Sequence, residues 1–138
     1  HKMILKNDKT TDFANKVLKA LAKSSSKKNP IIYPELKKKV FYKISNKFFV
    51  PEYIGVYFIH DMRGFLYIGE TKNLRDRFLQ HLQREENQHL KKIIKNPFGD
   101  LSFYWIKTNT KLEALKLQKY WIRSLKPFTN KINYQSNI

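Results

Sequence analysis

Two short runs rich in aromatic and β-branched residues, 53–59 and 65–69, are separated by only five residues, His60-Asp61-Met62-Arg63-Gly64. Composition makes each run a strand, and so short a spacer makes the pair an antiparallel hairpin. Folding it symmetrically about Met62 pairs 59 with 65, 58 with 66 and 57 with 67. Tyr57 and Tyr67 then stand directly opposite, with Cβ atoms about 5 Å apart. Alternation sends Val56, Phe58, Leu66 and Ile68 to the other face, an apolar set suited to covering helices. The two phenols share the face that is not obviously core. On the strands alone, an ordinary cross-strand aromatic pair accounts for them.

The rest of the chain is read around this hairpin. Its 138 residues suit one domain with a small appendage. Lys and Arg number 28 against 11 acids, a net charge of +17, which points to a polyanionic partner, nucleic acid before acidic membrane. The absence of cysteine removes disulfides, thiol nucleophiles and cysteine-built zinc sites. No apolar run approaches the roughly 20 residues of a membrane span, and no signal peptide is visible. These features imply a soluble protein of the cytoplasm with no membrane partner.

Residues 1–50 hold 13 lysines, no arginine and three acids, Asp8, Asp12 and Glu35; all four glycines lie in 51–138. The expected organisation is a basic helical extension over 1–50, contacting DNA or dimerising, followed by a compact module over 51–138. In the extension, Thr11 or Asp12 caps a helix with the stripe Phe13, Val17, Leu18 and Leu21, ended by residues 24–30. Pro34 opens a second helix carrying Leu36, Val40, Phe41 and Ile44. In the module, Thr71 caps a helix from about Lys72 past Leu82, with a break before 88–94. A third strand follows over 101–106, then a helix over 111–125 stopped by Pro127. The fold class is α/β (α+β), a small three-stranded antiparallel sheet flanked by helices.

Chemistry concentrates on two of the helices. Arg77 and His81 are four residues apart, about 40° in helical projection, and share a face. A guanidinium beside an imidazole is a poor mutual stabiliser but a sensible phosphate grip; alone it also reads as a solvated basic face. On the last helix the apolar residues Leu112, Ala114, Leu115, Leu117, Trp121, Ile122 and Leu125 have a mean direction within roughly 10° of Gln118. A polar amide at the centre of a buried stripe must find partners or cost about 1–3 kcal/mol. Glu113, the only acid of that helix, points about 130° away.

Together these residues resemble the GIY-YIG nuclease family. Gly55-Val56-Tyr57 is similar to the first half of its name motif, and Tyr67-Ile68-Gly69 is the second half verbatim. Thr71, Leu74, Arg77 and His81 stand at the offsets of the first-helix residues. Gln118 and Asn130 stand where the family has a metal-binding Glu and a later Asn. The run 112–118, then Leu125-Lys126-Pro127 and Asn130, resembles the corresponding run of the repair-excision members. The similarity spans roughly residues 53–132.

The resemblance implies hydrolysis of a phosphodiester by water with one divalent cation, Mg²⁺ or Mn²⁺. In that scheme Tyr57 is the general base or its relay, helped by His81. Tyr67 positions water or phosphate, Arg77 neutralises developing charge, and Asn130 holds the phosphate or supports the site. A phenol with pKa near 10 needs nearby cations to serve as a base at pH 7, and Arg77, the metal and His81 are the expected source. Lys72, Arg75, Arg84, Lys91 and Lys92 are the expected DNA contacts.

Gln118 departs from the pattern, since an amide brings no charge and hard cations prefer carboxylate. The expectation is a nuclease in an inactivated Glu→Gln form; the alternative is a naturally non-catalytic nucleic-acid-binding module of the same fold. The compactness resembles restriction-enzyme and phage-encoded members, with double-stranded DNA as partner and a homodimer as the natural way to read a palindromic site.

Overall fold

The computed structural model describes residues 11–23 and 30–130. Residues 24–29, where the sequence ends the first helix, lie outside the described residues, as do 1–10 and 131–138.

Helix α1, Asp12–Lys23, starts as expected: the Thr11 hydroxyl accepts a hydrogen bond from the Ala14 amide at 3.1 Å. The helix expected from Pro34 does not form. In its place are strand β1, Lys38–Phe41, and a 3-10 helix, Ile44–Phe49. The β-branched Val40 and aromatic Phe41 fit an extended chain, and β1 hydrogen-bonds into the sheet beside β4.

The hairpin consists of β2, Gly55–Asp61, and β3, Gly64–Thr71. Helix α2, Leu74–Gln83, and helix α3, Gln88–Lys95, follow, then β4, Ser102–Lys107, and helix α4, Lys111–Leu125. Among the described residues the sheet has four antiparallel strands, not three, in the order β1-β4-β2-β3. Thr71 ends β3 and does not cap α2; the cap is Asn73, whose side chain accepts from the Asp76 amide at 3.1 Å. Helix α4 has a capping box, Thr110 with Glu113, and ends at Lys126 in the left-handed region at φ 50°.

The hairpin register differs from the symmetric expectation. Tyr57 pairs with Gly69 and Ile59 with Tyr67, but His60 pairs with Phe65, so Leu66 is the extra residue of a β-bulge. The bulge turns Leu66 onto the face of Tyr57 and Ile59, contrary to the expected alternation, while Phe65 joins Phe58 and Ile68 on the other.

Both faces of the sheet are covered. One packs Tyr57, Ile59, Leu66, Phe103 and Trp105 against Leu74 and Phe78 of α2 and Leu90 and Ile93 of α3. The other packs Val56, Phe58, Ile68 and Ile106 against Ala114, Leu117 and Trp121 of α4, with Ala14 and Val17 of α1 behind. The face that carries the phenols is therefore core as well. The outer edge of β3 is closed by the segment after α4, where the Phe128 and Thr129 amides donate to the Phe65 and Leu66 carbonyls.

Candidate active site

Gly69 has no side chain because Tyr57 occupies its place. A Cβ built on Gly69 would fall onto the Tyr57 hydroxyl. The ring thus lies flat across β3, stacked on Phe103 at 5.3 Å between centroids, and is fully buried. Gly55 has a similar cause: an added Cβ would sit 2.5 Å from the Ile106 carbonyl oxygen of the neighbouring strand. Two glycines of the twin motif are therefore close-approach positions.

With Tyr57 displaced by two residues from Tyr67 in the ladder, the phenols are diagonal neighbours, their ring centroids 6.0 Å apart. His81, one turn after Arg77 on α2, closes a triangle of rings, 5.3 Å from Tyr57 and 5.4 Å from Tyr67. Its Nε2 lies 2.6 Å from the Tyr57 hydroxyl, and its Nδ1 is hydrogen-bonded to the Glu85 carboxylate. Burial pushes the Glu85 carboxyl up, but the bonds from His81 and the Asn87 amide, with the Arg77 charge, outweigh it and hold the pKa below its usual value. An ionised Glu85 only accepts, so a neutral His81 carries its proton on Nδ1 and leaves Nε2 to accept from the Tyr57 O–H.

The phenols do not titrate as the sequence suggested. Burial raises the Tyr57 pKa well above that of a free phenol; the Tyr67 charge adds to this, and Arg77 only opposes it. Burial and the Glu85 charge likewise raise that of Tyr67. Both are protonated at neutral pH.

A cleft of about 500 Å³ opens over this group, lined by Tyr67, Arg77, His81, Arg84, Glu85 and Thr129 among others. Tyr57 lies beneath it rather than on its wall. The structure thus brings together four of the six candidate residues, Tyr57, Tyr67, Arg77 and His81.

The other two are not among the residues that line the cleft. Asn130 is buried against the edge of β3, where Oδ1 accepts from the Ile68 amide at 2.8 Å and Nδ2 donates to the Ile68 carbonyl at 3.2 Å. Its amide is spent on holding the strand between the two motif residues Tyr67 and Gly69. Gln118 lies on α4, which covers the opposite face of the sheet. It is half-buried, about 70° from the centre of the stripe Ala114, Leu117 and Trp121. The sequence placed it at the centre because it weighted the exposed Leu112 and the half-buried Leu115, Ile122 and Leu125 like the three buried residues.

Of the expected DNA contacts, Arg84 reaches the cleft. Arg75 instead braces the 3-10 helix, donating to the Val50 carbonyl at 2.9 Å and pairing with Glu52 at 3.7 Å. Lys72, Lys91 and Lys92 are exposed and do not line the cleft.

Two carboxylates near the site were missed by the sequence reading. Glu85 follows His81 by one helical turn, and that i, i+4 spacing was its signal. Glu70 follows Tyr67-Ile68-Gly69 directly, and its charge bears on both Tyr67 and Arg77. Lys111 Nζ lies 3.1 Å from its buried Oε1, an ion pair although not aligned as a hydrogen bond.

The donor set does not suit a hard divalent cation. Position 118 offers a neutral amide, Glu70 is taken by Lys111, and among the described residues no three or more His, Cys, Asp or Glu side chains converge on a metal site.

Residues 53–133 match the GIY-YIG catalytic domain. The chain belongs to that family. UvrABC system protein C of Hydrogenobaculum sp. is 38% identical over 80 residues, covering 58% of this chain and 14% of that protein. The protein of the same name from Aquifex aeolicus is also 38% identical over 80 residues, with the same coverage of 58% and 14%. The chain therefore spans about one seventh of the length of these curated relatives. The GIY-YIG N-terminal endonuclease domain of UvrC from Thermotoga maritima, bound to its catalytic divalent cation, magnesium, superposes with a TM-score of 0.53. It is 23% identical, and the match covers 62% of this chain and 92% of that domain. Among the described residues no helix is long and apolar enough to cross a membrane.

Proposed function

We propose that the chain is a DNA endonuclease module whose proton-transfer half is complete and whose cation-holding half lacks its carboxylate at position 118. The observation that carries this reading is the run of hydrogen bonds from Tyr57 through His81 to Glu85 beneath a cleft lined by Arg77 and Tyr67. Such a run has no need to exist for packing alone, because an apolar side chain at 81 would fill the space without burying polar groups.

In this reading Tyr67 holds the attacking water at the cleft wall, and Arg77 faces the scissile phosphate and neutralises the charge that builds on it. Tyr57 is the relay: its oxygen takes a proton from the cleft side while its own proton passes to His81 Nε2. Glu85 stabilises the imidazolium that results. Raised phenol pKa values suit a relay, which needs O–H groups, rather than a standing phenolate. Asn130 supports the site through β3. Residues 1–50 serve as a basic arm for DNA, with Lys72, Arg84, Lys91 and Lys92 as further phosphate contacts. Double-stranded DNA in a bacterial cytoplasm is the substrate setting, and a homodimer would cut both strands.

The relatives named above are UvrABC system protein C and the endonuclease domain of UvrC, which lends no support to the restriction-type or phage-type expectation. One observation favours a second reading, a natural binding module that never cuts: the neutral amide at 118 with no compensating carboxylate cluster among the described residues. Cleavage of supercoiled plasmid in Mg²⁺ or Mn²⁺ by the chain and by its Gln118→Glu variant separates the two. Cutting by the variant alone supports the nuclease; binding without cutting by either supports the module.

A further inference from the structure

Phe48 and Phe49, consecutive on the 3-10 helix, are 72% and 71% exposed. Nothing in the packing of the core calls for two bare aromatic rings side by side. Lys47 Nζ lies 5.0 Å from the centre of the Phe48 ring, and the Arg75 guanidinium 5.3 Å. Phe49 rims a groove of about 520 Å³ whose walls include Tyr53, Trp105, Lys37, Lys38 and Lys107. We propose that this surface is a stacking platform for unpaired bases of single-stranded DNA, set around α2 from the cleft to hold nucleotides that flank the cleavage point.

Charge decides between nucleic acid and a protein partner. Lysine is depleted at the centre of protein interfaces, yet Lys37, Lys38, Lys39, Lys43 and Lys47 crowd the same short stretch. The nearby acids are already engaged, Glu35 with Lys37 at 3.9 Å and Glu52 with Arg75 at 3.7 Å. Exposed rings interleaved with cations are what a strand of stacked bases and charged phosphates requires, whatever its sequence.

The platform is fixed relative to the site. The Leu74 and Arg75 amides donate to the Tyr53 and Pro51 carbonyls at 2.9 and 3.1 Å, and Arg75 Nε donates to the Val50 carbonyl. Arg75 and Arg77 point about 200° apart around α2, so the platform and the cleft lie on different sides of that helix. A strand seated at Arg77 must round the helix to reach Phe48, which is why the platform holds flanking nucleotides.

The proposal rests on the DNA reading of the site, and its test uses the full chain with a fluorescent oligothymidylate of about twelve nucleotides beside a duplex of equal length. Phe48→Ala/Phe49→Ala should weaken oligothymidylate binding by about 30-fold or more, as the loss of two stacked bases demands. Duplex binding should change by less than about threefold. Phe48→Tyr/Phe49→Tyr should bind as the parent does, and Lys47→Gln should lower the salt slope by about 0.7. Equal melting temperatures establish that the variants fold. Unchanged oligothymidylate affinity in the alanine variant overturns the proposal. So does an equal loss for duplex, or a dimer that the substitution converts to monomer, since the surface would then bind a second copy. Plasmid cutting by Gln118→Glu is scored separately, so a failure of the nuclease reading leaves the platform result interpretable.

Discussion

The Tyr57 hydroxyl and His81 Nε2 lie 2.6 Å apart, and the other nitrogen of the same imidazole is bound to Glu85. This places a phenol in the position that a serine occupies in a hydrolytic triad, with the carboxylate fixing the tautomer. The phenol is buried, however, and its proton is held more tightly than in water.

If Glu85 positions His81, removing its acceptor must free the imidazole to change tautomer. Glu85→Ala should mix the two neutral forms in the ¹⁵N spectrum of the ring, while Glu85→Gln, which still offers an oxygen, keeps the Nδ1–H form. In the Gln118→Glu background the alanine variant should cut about 10–100-fold more slowly and the glutamine variant less so. A residue that only stabilised the loop would lower the melting temperature without moving the tautomer.

Gly69 is expected to tolerate nothing larger. Gly69→Ala drives a methyl group into the Tyr57 hydroxyl, and the overpacked core should lose about 1–3 kcal/mol in denaturant unfolding. The Tyr57–His81 bond should go with it. Retention of full stability would mean that Tyr57 does not lie across the strand.

The residues that make the site were legible because the motif fixes strand, turn and helix in one stretch. Tyr57, Tyr67, Arg77 and His81 share a face by simple periodicity of two and of 3.6, and the structure gathers them. Their exact register was not legible. A bulge at Leu66 adds one residue to one strand, and no composition signal marks it. The Pro34 segment failed for a different reason: Leu36, Val40, Phe41 and Ile44 satisfy a helical stripe, but the free edge of β4 offered a ladder that only an extended Lys38–Phe41 completes. Gln118 was misplaced in phase because Leu115, Ile122 and Leu125, which are half-buried, and Leu112, which is exposed, were weighted like the buried residues. The rise in the Tyr57 pKa was hidden because burial, the largest cause, depends on α2 closing over the sheet.

Acid should weaken the turn that joins β2 to β3. Asp61 accepts from the Arg63 amide, the Arg63 guanidinium and the Phe98 amide. Burial alone would push its carboxyl up, but these bonds hold the pKa below the ordinary value. A depressed folded pKa gives stability that is present above the unfolded value and lost as pH falls through the folded one, hence below about pH 4. Asp61→Asn should cost about 1–2 kcal/mol at pH 7 and flatten the decline in melting temperature between pH 6 and pH 3. An Asn variant as acid-sensitive as the parent would assign that decline to other carboxylates.

Binding to duplex DNA should be steeply dependent on salt. With a net charge of +17 and about five phosphates neutralised, affinity should fall at least about 100-fold between 50 and 200 mM salt. A nearly flat dependence would remove nucleic acid from the account.

The most direct test of the central claim is the conversion of supercoiled plasmid by Gln118→Glu, with and without Tyr57→Phe, in Mg²⁺ or Mn²⁺. Cutting by Gln118→Glu that disappears when Tyr57 loses its hydroxyl is the predicted result, because the relay then has no oxygen to pass the proton. Undiminished cutting in the double variant would contradict the relay, and tight binding with no cutting by Gln118→Glu would contradict the nuclease itself.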